Sequence, residues 1–476
     1  GLVGSEMCIR DRHRMLYVTA DYVATNVAIL LFNFVRYHAD VSARQFGSIS
    51  AFLSNTPVVA EQIVFPFVML GIYWLSGYYN EVFLKSRLQE LSVTLGNALT
   101  GAVLFFFVAM INDLQPDRAH TYLLILLVFG SLFLCLYTER CLITLSAKRR
   151  IERGEWALNT LIVGTGEEAE ALLGRLRRLQ PVMGLNVLGF VSTGRGDDVT
   201  MSLPVYNINE IEEISDRLSI NKYVVMLQQG GDNVTKDVIN RLLPTDRGVL
   251  VSPDLYHLLT TRVRTANIAG EPLVDVAHAP ISDFTINMKR VIDVVASAIG
   301  MLLSLPVIGV LAILIKADSK GPVIYSQIRI GRHKKPFRIY KLRTMYTDAE
   351  SNGPALSVPD DTRITKIGHF LRKYRLDELP QFWNVFIGQM SLVGPRPERE
   401  YYINQLLERA PYYALVQQVR PGLTSWGMVK YGYASDIDGM VERLRYELLY
   451  LENLSLRVDI KIIIYTFKIV FTGKGI

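Results

Sequence analysis

Two adjacent carboxylates, Asp377 and Glu378, lie in a strongly basic stretch and are followed at once by Leu379 and Pro380. Asp is a preferred N-cap residue and Pro is tolerated in the first helical turn, so this sequence predicts a helix start with Asp377 as its N-cap. The amide end of a helix favours anions, both carboxylate and phosphate. Among arginines, such a pair suits phosphoryl chemistry, with one acid as nucleophile and the other holding a metal or moving a proton. The plainer interpretation, a helix cap beside a residue that suits the helix dipole, stays open from the pair alone.

The stretch from Ser319 to Met345 carries eight Lys or Arg side chains and no acidic one. A basic stretch of this kind is most often a solvated face or a face that binds lipid headgroups. Aromatic residues interleave it, as in a strand hairpin docked on a core, and Lys341 and Arg343 would then share one strand face and converge on a diphosphate. The eight residues are Lys320, Arg329, Arg332, Lys334, Lys335, Arg338, Lys341 and Arg343.

Two proline-containing turns follow the carboxylate pair. One spans Gly394–Pro397 and presents Arg396, and the other is Arg420–Gly422. Because proline fixes the backbone, each guanidinium loses less entropy on binding and suits a bidentate phosphate contact. Either turn alone is most simply a turn that contains an arginine. Together with the carboxylate pair, and with Arg372 just before it, they indicate a phosphate-binding site.

The elements that position these residues begin with an apolar run, Val294–Ile315, of 22 uncharged residues. At about 1.5 Å per residue this run is long enough to cross a bilayer. However, Pro306 interrupts it, and basic residues flank both of its ends, which places both ends on the inner side of a membrane. We therefore predict a helix that enters, breaks at Leu305 and Pro306, and returns to the same face. The alternative is a kinked spanning helix, which would place all later residues outside.

The whole chain has a membrane-protein composition. Of its 476 residues, 50% are hydrophobic, and the mean hydropathy is +0.22. The net charge of +6 and the pI near 9.0 fit an anionic partner, and because no nucleic-acid motif is present we expect phosphates and lipid headgroups rather than nucleic acid. Residues 1–12 match no targeting signal and resemble translated adaptor sequence, so we expect them to be a non-native leader.

Four further apolar segments, each about the length of a membrane span, fill the first third of the chain. Basic residues cluster before the first and after the second and fourth, which places both ends of a four-helix bundle in the cytoplasm. Asp21 interrupts the first segment, and we expect it to hydrogen-bond between helices, with a functional role as the alternative. The segments are Leu16–Val35, Val58–Leu75, Leu91–Ile111 and Thr121–Ile143.

Residues 157–265 have the alternating pattern of a soluble α/β domain. Gly164–Ala169 matches the G-x-G-x-x-A turn of Rossmann-like domains. The acidic residue expected to bind a ribose is missing, since Thr193-Gly194-Arg195 occupies its place. We therefore favour a structural or regulatory role over nucleotide binding. Predicted strands are Leu158–Val163, Val187–Val191, Tyr223–Leu227 and Val249–Val251, with a helix at Glu167–Gln180.

Residues 285–476 closely resemble the bacterial sugar transferases, which are polyprenyl-phosphate hexose-1-phosphate transferases. The resemblance covers about 40% of the chain through several motifs in the same order, and the N-terminal half is similar to that of the long-form members. The motifs are Lys289-Arg290 with Asp293, the Pro-broken helix, Gln327-x-Arg329-x-Gly331, Tyr340-Lys341-x-Arg343-Thr344-Met345, the Asp377-Glu378 block, Ser391–Pro397 and Arg420-Pro421-Gly422.

The resemblance implies transfer of hexose-1-phosphate from a UDP-sugar to undecaprenyl phosphate or another polyprenyl phosphate, with release of UMP, as the first step of exopolysaccharide, O-antigen or capsule synthesis. It implies Asp377 as the nucleophile of a covalent aspartyl phosphosugar and Glu378 as a ligand of Mg²⁺. We assign phosphate contacts to Lys341, Arg343, Arg372 and Arg396. Expected partners are the two substrates, membrane lipid and downstream glycosyltransferases, with a homo-oligomer left open.

The resulting fold prediction is membrane α plus α/β. It comprises four transmembrane helices at 13–147, a Rossmann-like cytosolic domain at 157–265, a linker at 266–286, and a monotopic α/β catalytic domain at 287–476 with a re-entrant helix near 290–316. The predicted location is the bacterial inner membrane, with the catalytic domain facing the cytoplasm. Two alternatives are a membrane-anchored nucleotide-sugar oxidoreductase or dehydratase, and a non-enzymatic scaffold for polysaccharide export. No motif identifies the hexose.

Overall fold

A computed structural model describes residues 2–39, 45–80, 87–110, 118–153, 157–193, 201–226, 232–252, 273–275, 281–349, 353, 361–432, 434 and 436–472. The chain divides into two compact units. The first comprises Gly1–Asn159 and Leu173–Val187, and the second comprises Thr160–Leu172 and Leu188–Ile476. The predicted linker falls largely outside the described residues, and the predicted domain boundaries stay predictions.

The first unit is built from apolar helices. Their buried faces share one core, which includes Tyr17, Phe32, Met69, Phe105 and Leu132. Each of the four long helices contains one of the predicted apolar segments, and the last residue of the third segment, Ile111, lies outside the described residues. The helices are α1 (Leu2–Ala39), the short α2 (Ile49–Leu53), α3 (Thr56–Leu75), α4 (Arg87–Phe105, continued by a π-helical turn, Phe106–Met110) and α5 (Arg118–Glu152).

Five helices in the described part of the chain are long and apolar enough to cross a membrane. Four belong to the first unit, and the fifth is Asp283–Asp318 in the second. Many of their large apolar side chains, such as Val27 and Leu134, are exposed in the isolated chain, as lipid-facing residues are. The protein is therefore a membrane protein with an additional α/β part.

A buried ion pair joins α1 to α5. Arg140 donates through Nε to Asp21 Oδ1 at 2.8 Å and through a second nitrogen to Oδ2 at 3.2 Å, while Tyr79 donates to Oδ2 at 2.8 Å. Arg140 also donates to Thr94 at 3.1 Å, and both members of the ion pair are fully buried. The prediction that Asp21 hydrogen-bonds between helices is confirmed.

A six-stranded sheet has the order β3-β2-β1-β4-β5-β6, and it is parallel except for β6. Gly164 and Gly166 follow β1 with φ values of 133° and 102°, which glycine adopts without steric cost. Every predicted strand is confirmed within one or two residues, and the ribose position at 194–195 lies outside the described residues. The strands are β1 (Leu158–Val163), β2 (Leu185–Ser192), β3 (Val205–Asn207), β4 (Lys222–Met226), β5 (Gly248–Ser252) and β6 (Val274–Asp275), with helices α6 (Glu167–Met183), α7 (Ile211–Arg217) and α8 (Asp232–Leu242).

The helix α9 spans Asp283–Asp318. The Ser282 side chain caps its start by accepting the Thr285 N–H at 3.3 Å. The helix is continuous through Leu305 and Pro306, so the expected interruption of helical structure there is absent. Pro306 lacks an N–H, but the loss of one hydrogen bond does not end a helix of this length. The return of this helix to the same membrane face stays a prediction.

The remaining elements carry the sequence motifs of the second unit. An antiparallel hairpin joins β7 (Ile324–Ile330) to β8 (Pro336–Leu342), as the sequence predicts, and a small parallel pair joins β9 (Ser391–Val393) to β10 (Gly422–Thr424). The helices are α10 (Lys366–Lys373), α11 (Gln381–Phe386), α12 (Glu400–Arg409), α13 (Trp426–Lys430), α14 (Ile437–Glu452) and α15 (Leu456–Thr472).

Candidate active site

Asp377 and Glu378 lie in a single 3₁₀ turn, Leu376–Glu378, immediately before α11. Both are buried, with 7% of each residue exposed. The prediction that Asp377 is a helix N-cap is wrong. The 3₁₀ turn begins after Arg375, whose φ of 54° reverses the chain, and the N-cap position of α11 is Pro380. Both carboxylates therefore lie inside the first helical turn, where their side chains face basic residues instead of capping the backbone.

Lys341, on β8, joins the two carboxylates. Its Nζ lies 2.9 Å from Glu378 Oε1 and 3.5 Å from Asp377 Oδ2. The fully buried Asn384 of α11 fixes this arrangement, since it accepts the Tyr340 N–H at 3.2 Å and donates to the Arg338 carbonyl at 2.7 Å. Strand β8 is thereby held against the helix that follows the carboxylate pair.

The two carboxylates have different electrostatic surroundings. Burial raises the pKa of Glu378, but the charges of Arg375, Lys341 and Arg396 outweigh it and bring this pKa to about 2. Arg375 Nε lies 3.4 Å from Glu378 Oε2. For Asp377, burial prevails over Lys341, and the neighbouring Glu378 adds to it, so its pKa is raised. Glu378 is thus the permanent anion, and Asp377 is the more basic and more nucleophilic of the pair.

The predicted phosphate-binding residues occupy different places. Arg372 donates through Nε to Thr344 Oγ1 at 2.9 Å. Arg396 places its charge near Glu378, and its Nε is 3.9 Å from Glu398 Oε1. Both lie in the region of the carboxylate pair.

Arg343 does not converge with Lys341 as the strand pattern predicts. Its guanidinium donates to the carbonyls of Ser319 (2.8 Å), Ile315 (3.4 Å) and Lys320. The reason is that β8 ends at Leu342, so the alternation of side chains no longer applies at Arg343. This side chain closes the carboxyl end of α9, where last-turn carbonyls lack helical partners.

Arg420 also binds backbone. It donates through Nε to the Gly388 carbonyl at 3.0 Å, while Arg290 donates to the carbonyls of Val385 and Phe386 at 2.7 and 2.8 Å. The second Arg-Pro turn therefore helps to close the carboxyl end of α11. Sequence reasoning missed Asn384, although an amide among the apolar residues of a helix is a signal of a buried polar contact.

The carboxylate oxygens of Asp377 and Glu378 are of the type that binds magnesium. No group of three or more His, Cys, Asp or Glu side chains that could hold a metal occurs among the described residues. Magnesium in phosphoryl-transfer sites is usually bound through one or two carboxylates, with substrate phosphates and water as further ligands. Asp377 and Glu378 can supply that share. The two oxygens of Glu378 already lie beside Lys341 and Arg375. Most of the other ligands of a bound magnesium ion would therefore be phosphate oxygens.

The chain thus combines helices that are long and apolar enough to cross a membrane with a buried carboxylate pair near several basic side chains. Residues 284–473 match the bacterial sugar transferase family. The chain is 41% identical over 152 residues, 31% of its length and 85% of the relative, to a putative undecaprenyl-phosphate N-acetylgalactosaminyl 1-phosphate transferase of Bacillus subtilis. The chain belongs to the bacterial sugar transferase family, which confirms the resemblance found in the sequence.

Two longer relatives are similar as well. One, from Aeromonas hydrophila, is a UDP-N-acetylgalactosamine-undecaprenyl-phosphate N-acetylgalactosaminephosphotransferase, 37% identical over 48% of this chain and 55% of its own. The other, from Klebsiella pneumoniae, is a UDP-glucose:undecaprenyl-phosphate glucose-1-phosphate transferase, 32% identical over 62% of this chain and 63% of its own. The matched part thus spans little more than half to two thirds of these relatives.

Proposed function

We propose that the protein transfers hexose-1-phosphate from a UDP-sugar to undecaprenyl phosphate and releases UMP, as the first step in building an exopolysaccharide, O-antigen or capsule. The observation that carries this proposal is the buried carboxylate pair, in which Glu378 is held ionised while Asp377 is more basic. The names of the relatives agree with this reaction, but they differ in the sugar, so the hexose is left open.

In the first step an Asp377 oxygen attacks the phosphorus that bears the sugar. A bond forms between that oxygen and phosphorus, the bond from phosphorus to the bridging oxygen breaks, and UMP leaves with the electron pair. In the second step an oxygen of the lipid phosphate attacks the same phosphorus and releases the Asp377 carboxylate. Two displacements of this kind leave the lipid diphosphosugar and restore the protein.

The surrounding residues supply position and charge, which is most of what phosphoryl transfer requires. Lys341 holds both carboxylates in place, and Glu378 would hold magnesium, which neutralises phosphate charge when it is bound. Arg372 and Arg396 are proposed to contact the substrate phosphates. The phosphate contact predicted for Arg343 stays a prediction, and in the structure its two terminal nitrogens donate to backbone carbonyls.

We also propose that α9 enters the membrane, bends at Pro306 while staying helical, and returns to the face it came from, with the catalytic part on the cytoplasmic side of the inner membrane. Near its start, Asp293 accepts the Leu392 N–H at 2.9 Å, and near its end Asp318 accepts the Ile367 N–H at 3.1 Å. A straight helix from 293 to 318 would be about 37 Å long, which exceeds a hydrocarbon core of about 30 Å. Contacts of both ends with one folded domain support a return to one face.

The proposed function is tested with Asp377→Asn, which keeps the shape of the side chain and removes the nucleophile. UMP release from a UDP-sugar and undecaprenyl phosphate should fall at least about a thousandfold. With a UDP-sugar labelled in its sugar and no lipid, the label should become bound to the wild-type protein and not to the variant. Asp438→Asn, at an exposed position, is the matched control. Retained turnover in Asp377→Asn would overturn the proposal.

A further inference from the structure

Behind the Arg396 turn, three arginines from three different elements surround one buried carboxylate, Glu398. Arg443 of α14 lies 2.5 Å from Glu398 Oε1, Arg329 of β7 lies 3.4 Å from Oε2, and Arg396 Nε lies 3.9 Å from Oε1. Only 4% of the Glu398 side chain is exposed. Glu398 therefore lies among three guanidinium groups and reduces their mutual repulsion at close range.

The same residue fixes the backbone of the turn. The Ile330 N–H donates to the Glu398 carbonyl at 3.1 Å, and Arg329 donates to the Pro397 carbonyl at 3.1 Å. Strand β7, which makes these contacts, pairs with β8, which carries Lys341. The Arg396 turn and the lysine of the carboxylate pair are thus set by one hairpin.

A second buried carboxylate supports this arrangement from α14. Glu447 lies one helical turn after Arg443, accepts the Ser425 hydroxyl at 2.6 Å, and lies beside the Arg396 backbone N–H. A side chain on Gly427 would come within 2.6 Å of Glu447 Oε1 and 2.7 Å of Arg443 Cγ, so glycine is needed for this close approach. The rear of the turn is tightly packed and highly charged.

The three arginines differ in what they face. Of the Arg396 side chain, 21% is exposed, against 7% for Arg443, and the Arg396 charge acts on Glu378. Arg329 is engaged with Pro397 and Glu398. Arg396 is therefore the member of the cluster that can contact a phosphate at the carboxylate pair. Arg329 and Arg443 bind Glu398, and Glu398 in turn orients Arg396.

We propose that Glu398, with Arg443 behind it, is a positioning residue that aims the Arg396 guanidinium at the diphosphate of the UDP-sugar. This inference rests on the proposed function. Glu398 touches no substrate in this arrangement and acts through Arg396. Replacing Glu398 should therefore weaken UDP-sugar binding as replacing Arg396 does. Replacing both residues should weaken it no further.

A double-mutant cycle tests this relation. Glu398→Gln and Arg396→Gln are measured singly and together, by the initial rate of UMP release at varied UDP-sugar. We expect each single variant to raise the KM for UDP-sugar about tenfold, since each loses one charge-assisted phosphate contact, and the double variant to match Arg396→Gln alone. Asp438→Asn, in an exposed ion pair, should match the wild type.

Additive effects, or an Arg396→Gln variant with an unchanged KM, would overturn the positioning role. If Glu398→Gln does not fold, as judged by its elution and thermal unfolding in detergent, the cycle is run with Glu398→Asp. This variant keeps the negative charge on a shorter side chain. The same non-additivity is then expected, and additivity again overturns the role. A wild-type protein that releases no UMP from any UDP-sugar refutes the proposed function itself, a result that the cycle cannot imitate.

Discussion

Each unit contains a buried aspartate beside a cation, and the two aspartates differ in how closely that cation approaches. In the first unit Asp21 meets one guanidinium, Arg140, through two hydrogen bonds of 2.8 and 3.2 Å. The guanidinium also lies over the rings of Tyr78 and Tyr73, at 3.7 and 4.6 Å from their centroids. Both charged side chains of this pair are fully buried.

In the second unit two adjacent carboxylates share one lysine. Lys341 is 21% exposed and lies at a hydrogen-bonding distance from Glu378 but at a long 3.5 Å from Asp377. Glu378 has a second cation in Arg375, and its pKa falls to about 2, whereas the pKa of Asp377 is raised because burial prevails. Burial of charge alone therefore does not mark a reactive site. What distinguishes Asp377 from Asp21 is its cation, which lies 3.5 Å away and is shared with Glu378.

The largest effect that would sharpen this comparison is expected in the Asp21–Arg140 pair. Arg140→Met leaves Asp21 buried without its cation, which should lower the free energy of unfolding by about 3–5 kcal/mol. Denaturant unfolding in detergent micelles measures this loss. Adding Asp21→Asn should recover part of it, because the orphaned charge is then removed. A single variant as stable as the wild type would show that this pair does not hold the helices together.

A smaller effect on stability, and a larger one on turnover, is expected from Lys341→Met. Turnover should fall about a hundredfold, the usual cost of losing one electrostatic contact in an active site. The pKa of both carboxylates should rise, so the rising limb of the pH–rate profile moves to higher pH. The loss of stability should be smaller than for Arg140→Met, since one carboxylate can take up a proton. The reverse order of stabilities would break the comparison.

The third effect is a loss of stability at low pH. The pKa of Glu378 in the folded protein, about 2, lies below its ordinary 4.5, so its stabilising contribution is complete above pH 4.5 and is lost as the pH falls towards 2. Between pH 6 and 3.5 this loss amounts to about 1–2 kcal/mol. Asp377, whose pKa is raised, has the opposite sign. The free energies of unfolding of the wild type and Glu378→Gln, measured at several pH values, should therefore approach each other as the pH falls. A difference that stays constant with pH would contradict this.

The smallest effect is expected at an exposed ion pair, Arg409 with Asp438, whose side chains are 56% and 84% exposed. Asp438→Asn should change the free energy of unfolding by less than about 0.5 kcal/mol, because water and salt screen such pairs. Denaturant unfolding at low and high salt measures it. A change as large as that of Arg140→Met would mean that exposure does not separate weak pairs from strong ones in this protein.

The sequence predicts the elements of this protein better than the partners of its arginines. Apolar runs and short β-rich runs are local signals, and the corresponding helices and strands are found where expected. The sequence predicts Lys341 on a strand, but its contact with both carboxylates is seen only in the structure. Arg343 and Arg420 bind backbone carbonyls instead of standing free for phosphate. A guanidinium suits either partner, and only the folded chain decides which one is near.

Helix α9 has a consequence for how the protein reaches its membrane. The groups that bind Asp293, Asp318 and the last-turn carbonyls of this helix include Arg343 and the N–H groups of Ile367 and Leu392, and all of these come later in the chain than the helix itself. On the ribosome, the apolar run is therefore complete before any of these contacts can form. If the helix returns to the face it entered, as proposed above, these later contacts are what would separate it from a spanning helix, and they form only once the downstream residues have been made.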